Sequence, residues 1–336
     1  MSVLVTGNAG FIGSHFVEHV LAGGHVEQLL AHAGSEQLFV GGPPRVVGLD
    51  SFNDYYDPAL KRANVAPLAG DPRVTLIEGD FCDAELVERV FREHAPRVVV
   101  HLGAYAGVRY SVEHPLVYER NNVAGTLVLL EAARRHPVER FVLVSSSTVY
   151  GAGAVAPFVE SAPLGVPLSP YGATKQAAET LGLTYQLLHG VPVVCLRPFS
   201  VYGPRLRPDL ALTIFCKAIA EGRPLPLFGD GTVLRDFTHV RDLCAGLTAA
   251  IVAPHVVGQA INLGHDQPIA IRDVIAELER ALGHKALIEQ LPSKPGDMPL
   301  THADLTKARR LLGYEPRIAF REGVAEFVEW FRRSRA

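Results

Sequence analysis

The sequence predicts an α/β fold: a doubly wound, Rossmann-type parallel sheet with a smaller α/β lobe. Three observations predict it. Short, almost wholly apolar runs alternate with helix-length amphipathic segments through the first half, as parallel βαβ units do. The first of these runs leads directly into a glycine-rich turn that opens a helix. Beyond Pro198 the alternation loosens into a stretch crowded with proline, glycine and arginine, the mark of a separate lobe.

Taken in order, strands are predicted at Ser2–Thr6, Arg45–Asp50, Val74–Glu78, Val98–Leu102, Phe141–Ser145 and Val191–Arg197. Their continuous apolar character suits a sheet covered on both faces. Helices are predicted at Phe11–Leu21, Ala84–Glu93, Pro115–Arg135 and Tyr171–Leu188, then at Val240–Val252, Ile271–Leu282, Leu305–Leu312 and Phe320–Arg333. The stretch from Gly23 to Pro44 is longer than a compact βαβ connection needs. It reads as an insertion in which His25–Ala33 extends the first helix until Gly41-Gly42-Pro43-Pro44 breaks it. The expected division is a nucleotide-binding domain of residues 1–198 plus about 239–266, and a substrate lobe of about 199–238 plus 267–336.

Bulk properties narrow the function. The net charge of −3 offers no electrostatic footprint for nucleic acid. No apolar run approaches the roughly 18–20 residues that span a bilayer, and the N-terminal residues lack a charged-then-apolar leader pattern. The four cysteines lie far apart with no CxxC spacing, which speaks against a disulfide framework or a metal site. A cytoplasmic protein with neither nucleic-acid nor membrane partners is expected.

The glycine turn runs Gly7-Asn8-Ala9-Gly10-Phe11-Ile12-Gly13. Glycines let the backbone bend tightly and approach a pyrophosphate, while the helix start offers free N–H groups and a positive dipole end. Asp50 ends the second strand, where a carboxylate accepts hydrogen bonds from ribose hydroxyls and disfavours a 2′-phosphate, so NAD is expected rather than NADP. A turn aspartate is the plainer alternative. Asp80, just past the third strand, could meet an adenine amino group or cap the helix at Ala84.

Tyr171 and Lys175 stand four apart at a helix start, on one helix face. A nearby ammonium, with an oxidised nicotinamide, can lower a phenol pKa and make tyrosinate available as a base. Ser145-Ser146-Ser147-Thr148 ends the fifth strand, at the sheet edge where ligands sit in such folds. A surface Tyr/Lys pair is the plain alternative, weakened by the glycine loop, the acidic strand end and the serines.

With these motifs in view, the chain resembles the extended short-chain dehydrogenase/reductases, specifically the NAD-dependent epimerase/dehydratase family, over nearly its whole length. The residues carrying this are Thr6–Gly13, Asp50, Gly79-Asp80, His101–Ala104, Asn122, Ser145–Gly151, Tyr171–Lys175, Pro198–Pro204 and Arg235-Asp236-Phe237. The resemblance implies Tyr171 as base, Lys175 on the nicotinamide ribose and Ser146 as hydrogen-bond partner of the reacting hydroxyl. It implies cofactor contacts from Phe11, Ile12, Asn53, Phe81, Leu102, Ala104 and Asn122. It also implies a homodimer through the helices at Pro115–Arg135 and Tyr171–Leu188.

Within the family, dehydratases carry Asp-Glu after the serine. Here stand Ser147-Thr148, which cannot supply an acid and a base. Decarboxylases of UDP-glucuronate usually keep that glutamate. The stretches Asp50–Pro58, Ala106–Ser111 and Pro198–Asp209 resemble UDP-glucuronate 4-epimerases. That resemblance implies a UDP-sugar substrate, with Ser147, Thr148 and Ser200 facing a sugar carboxylate. It further implies Arg207 and Arg235 on the diphosphate and Asp297 on the uridine ribose. Arg109 has the weakest case, and Lys294 stands where relatives often have glutamine or arginine. A UDP-glucose/galactose 4-epimerase and a UDP-glucuronate decarboxylase remain the alternatives; a non-catalytic NAD-sensing module is a third, disfavoured by the Tyr/Lys pair.

Overall fold

The structure is a computed structural model and describes residues 2–23, 44–292 and 300–334. Nearly all of the expected insertion, with His25–Ala33, Lys294 and Asp297, lies outside the described residues.

Six predicted strands form, with ends shifted by at most two residues: β1 (Ser2–Thr6), β2 (Arg45–Asp50), β3 (Val74–Glu78), β4 (Val98–His101), β5 (Arg140–Val144) and β6 (Val193–Pro198). A seventh, β10 (Ala260–Leu263), joins them in one sheet of order β10-β6-β5-β4-β1-β2-β3. Every pairing in it is parallel. Both faces are buried, and the two-residue period of a strand sorts the side chains. Val3, Val5, Val98, Val100, Val142 and Val144 join one core cluster, whereas Leu4, Val99, Phe141 and Leu143 join the other. This alternation explains why the strands read as unbroken apolar runs.

The strand order reverses between β1 and β4, the place where doubly wound sheets open a crevice at their carboxyl ends. The second lobe supplies a three-stranded sheet of β7 (Ser200–Tyr202), β9 (Leu234–His239) and β11 (Pro268–Ala270), and a two-stranded one of β8 (Pro224–Phe228) and β12 (Leu287–Leu291). The helices at Phe11–Leu21, Val240–Val252, Ile271–Leu282 and Phe320–Arg333 stand where the sequence places them.

Three details correct the sequence expectations. The helix expected at Pro115–Arg135 is interrupted: a wide π-type turn over Glu119–Gly125 separates Pro115–Tyr118 from Thr126–Arg135. A helix at Pro58–Val65 was not foreseen, although Asp57 caps it, its Oδ1 accepting from Ala59 N, and Pro58 fills its first turn, both standard start signals. The helix Ala84–His94 is capped by Asp83, which accepts from Glu85 N and Leu86 N, and not by Asp80.

Candidate active site

The carboxyl ends of β1, β2, β4, β5 and β6 and the loops of the second lobe enclose a continuous cavity of about 920 Å³. That is room for a dinucleotide's reactive half beside a second ligand. At one end lies the glycine turn. Gly7 has φ +72°, and a Cβ there would stand 2.8 Å from Gly103 N. A Cβ on Gly13 would fall 2.1 Å from Gly7 O. Side chains are thus excluded where a pyrophosphate must approach backbone N–H groups. Asp50 is buried, with its two oxygens fixed by Ala9 N (3.1 Å) and Phe52 N (2.9 Å). Burial raises its pKa, opposed by those hydrogen bonds and by the Lys61 charge. These residues fit an adenine dinucleotide.

The first-strand end is braced by a chain of hydrogen bonds whose direction can be worked out. Thr126 donates to Asn122 O (2.7 Å), so His101 Nε2 must donate to Thr126 Oγ1 (3.0 Å). His101 Nδ1 then accepts from Thr6 Oγ1 (2.7 Å), which itself accepts from Gly103 N (3.1 Å). Only a neutral imidazole satisfies this chain, and burial pushes His101 down to about 3.

The helix carrying the Tyr/Lys pair begins at Pro170 because Ser169 caps it, accepting from Gly172 N at 3.1 Å. Tyr171 and Lys175 therefore lie in its first turns and face the end of β5. Lys175 is buried, and its Nζ donates to Val144 O at 2.8 Å. Burial without a carboxylate beside it lowers Lys175 to about 8. Burial raises the Tyr171 phenol, while the Ser146 hydroxyl and the Arg207 charge pull it down. Ser146 Oγ accepts both from Thr148 N (3.2 Å) and from Thr148 Oγ1 (2.9 Å). With both lone pairs used, its own hydrogen is left to point at the phenol or at a reacting hydroxyl.

Most of the sequence-predicted residues meet in this cavity. Gly7, Gly10, Phe11, Ile12, Gly13, Asp50, Asn53, Phe81, Leu102 and Ala104 line one end. Ser146, Ser147, Thr148, Tyr171, Lys175, Ser200, Arg109, Arg207 and Arg235 line the remainder. Arg109 packs over the Phe228 ring at 5.1 Å. Two residues lie outside the lining. Asn122 is buried and spends its amide on Tyr105 N, Tyr105 O and Thr174 Oγ1, so its side chain positions the loop after β4. Asp80 accepts from Cys82 N (2.8 Å) and pairs with Arg120 (2.7 Å) at the rim.

Sequence reasoning missed Lys61, Tyr55, Tyr110, Tyr118 and Asp209. Lys61 is buried and donates to Asn53 O (2.8 Å) and Oδ1 (2.7 Å), fixing the loop after Asp50. The Asp57-Pro58 start signal would have placed it one turn into a helix beside that loop. The tyrosines form a ring-on-ring cluster reaching Tyr171, whose ring centre is 6.1 Å from that of Tyr118. No local pattern announces such a cluster.

The profile of the NAD dependent epimerase/dehydratase family matches residues 3–264. The UDP-glucuronate 4-epimerase of Thermodesulfobacterium geofontis (strain OPF15) is 39% identical over 328 residues, covering 97% of this chain and 95% of that protein. Among solved structures, the Bacillus cereus UDP-glucuronic acid 4-epimerase in complex with UDP-glucuronic acid and NAD superposes with TM-score 0.86 at 35% identity. The match covers 99% of this chain and 100% of that one. The dTDP-glucose 4,6-dehydratase DesIV of Streptomyces venezuelae, with NAD bound, superposes with TM-score 0.88 at 32% identity, over 100% and 98% of the two chains. One scaffold therefore hosts different reactions, and the residues around the Tyr/Lys pair must separate them. Fold, cradle and sequence agree that this chain belongs to the NAD-dependent epimerase/dehydratase family.

Proposed function

We propose that this chain is an NAD-dependent 4-epimerase that converts UDP-glucuronate to UDP-galacturonate through a 4-keto sugar. One observation carries the choice of reaction: where a dehydratase needs an acid and a base, the turn after Ser146 presents the hydroxyls of Ser147 and Thr148. The relatives from Thermodesulfobacterium geofontis and Bacillus cereus are by name 4-epimerases of this same uronate.

The glycine turn, Asp50, Asn53, Phe81, Leu102 and Ala104 would hold the dinucleotide, with Lys175 at the nicotinamide ribose. When bound, its oxidised ring supplies a reversible hydride acceptor and a positive charge near the phenol. Tyr171 takes the proton of the 4-hydroxyl, and Ser146, held as a donor by Thr148, steadies the oxygen from which it leaves. The ketone then turns over while Arg207 and Arg235 keep the nucleotide anchored. Tyr171 returns the proton after reduction on the other face.

A ketone at carbon 4 is β to the carboxylate, so carbon dioxide is lost if the carboxylate C–C bond aligns with the carbonyl π system. Neutral hydroxyls at Thr148 and Ser200 hold it out of alignment. Replacing both by alanine should release a UDP-4-keto-pentose and carbon dioxide, seen by NMR; a clean epimer from the double variant removes this role.

The domain division at about residues 198, 239 and 266 is part of this proposal, as is a cytoplasmic homodimer. The four free cysteines suit a reducing compartment. Among the described residues no helix is long and apolar enough to cross a membrane. Leu116, Leu187 and Leu188 stand exposed on the two helical segments expected to pair, with Leu116 80% accessible. An NMR time course with UDP-glucuronate tests the reaction: UDP-galacturonate is expected. UDP-xylose from UDP-glucuronate, or an epimer from UDP-glucose alone, would overturn the assignment.

A further inference from the structure

The loop between β7 and the helix Ala211–Ala220 carries Arg207 and Asp209, which cross to the opposite wall of the cavity. Arg207 Nε donates to Asp209 Oδ1 (2.9 Å), and Nη2 donates to Asp209 Oδ2 (2.7 Å) and to Ala106 O (3.2 Å). Its guanidinium stands 5.3 Å from the centre of the Tyr55 ring. The Tyr55 hydroxyl in turn donates to Asp209 Oδ2 at 3.3 Å. Tyr55 and Ala106 belong to the loops after β2 and β4, so four groups from both lobes meet over the cavity.

Gly107 shows how closely they are fitted. It has φ +121°, and a Cβ there would stand 2.6 Å from the Tyr55 hydroxyl and 3.7 Å from both Arg207 Nη2 and Asp209 Oδ2. A guanidinium has five N–H donors. Three are spent, Nε–H and one Nη2 hydrogen as a fork on Asp209 and the other Nη2 hydrogen on Ala106 O, which leaves the Nη1 pair for a ligand. The Nε–Nη2 fork that an arginine can offer to a carboxylate or phosphate is thus already occupied by Asp209.

We propose that Asp209 is a positioning residue: with Tyr55 it holds the Nε–Nη2 edge of Arg207, so that Nη1 meets an anionic group of the sugar nucleotide already oriented. The inference rests on the sugar-nucleotide reading above. An unheld arginine would have to freeze its flexible chain on each binding event, and a rigid fork already spent on Asp209 avoids that loss. The held charge also acts on chemistry, because it lies near enough to Tyr171 to draw the phenol down.

A double-mutant cycle tests this on the full-length protein with its cofactor, by calorimetry with UDP-glucuronate, UDP-glucose and UDP. D209A should weaken UDP-glucuronate binding by about tenfold, the scale of a lost charge-assisted contact. In an R207Q background the same substitution should change affinity by less than about twofold, because its partner is gone. Y55F, which removes only the hydroxyl, should move affinity the same way by about twofold and serves where D209A folds poorly. Coupling seen with all three ligands assigns Nη1 to the diphosphate, and coupling confined to UDP-glucuronate assigns it to the carboxylate; both support the proposal. The pH limb at which kcat rises should move upward in D209A, since a displaced guanidinium no longer lowers the phenol. Additive losses in the cycle, tighter binding by D209A, or a limb that stays or moves down would overturn it. A wild type that binds UDP but not UDP-glucuronate refutes the functional reading, while the cycle on UDP still decides the part played by Asp209.

Discussion

The floor of the cavity and its roof solve the same electrostatic problem in opposite ways. On the floor Lys175 is buried with a backbone carbonyl as acceptor, and desolvation lowers it to about 8. On the roof Arg207 is gripped by Asp209, and its pKa is raised despite burial. An ammonium with no countercharge, one helical turn beyond Tyr171, suits a group that assists proton transfer. A clamped guanidinium has its geometry fixed, which suits a group that orients a ligand, and its charge still draws the Tyr171 phenol down.

The largest expected effect falls on the floor. Y171F should lower kcat by about 10²–10⁴-fold, the usual loss when a general base goes, with nicotinamide still bound, as read by NMR turnover and by nucleotide released on denaturation. Retained turnover would move the base elsewhere and dissolve the contrast. Next comes the layer beneath the floor. Glu179, one turn beyond Lys175, pairs with Arg197 of β6, both buried, with Nε donating at 3.1 Å. E179A leaves a buried guanidinium uncompensated and should cost about 3–5 kcal/mol of stability, measured by denaturant unfolding. A loss below about 1 kcal/mol would show that water reaches the pair.

The smallest effect is a pH dependence in the helix behind the glycine turn. Burial, helped by the Arg205 charge, lowers His15 to about 4, so the folded protein holds it neutral while the unfolded chain takes up a proton below about 6.5. The unfolded state binds more protons between those values, so stability is lost as pH falls through that window. His15 alone should cost about 1–2 kcal/mol on going from pH 7 to pH 5. H15Q should flatten that slope in thermal melts, and an unchanged slope would place the loss on other groups.

Much of the floor could be read from the chain. The Gly7–Gly13 turn, Asp50 and the Tyr171/Lys175 pair are local devices, each fixed by a strand end, a cap or a four-residue spacing. The predicted strands were legible for the same reason, since period-two burial on two faces leaves an unbroken apolar run. The π-type turn at Glu119–Gly125 escaped because its residues keep a helical polarity pattern while Asn122 is drawn to the backbone of Tyr105. The ion pair of Asp80 escaped because Arg120 stands forty positions away, and no local pattern announces such a partner.

The sequence by itself therefore determined the sheet, the glycine turn and the placing of Tyr171 and Lys175 on one helix face, because short-range dihedral and periodicity rules fix each of them. Only the tertiary structure decided the roof: Tyr55 meets Asp209 across 154 positions, and Arg207 meets Ala106 across 101. Such contacts arise when two lobes close over one crevice, and no local rule encodes which distant loops then touch.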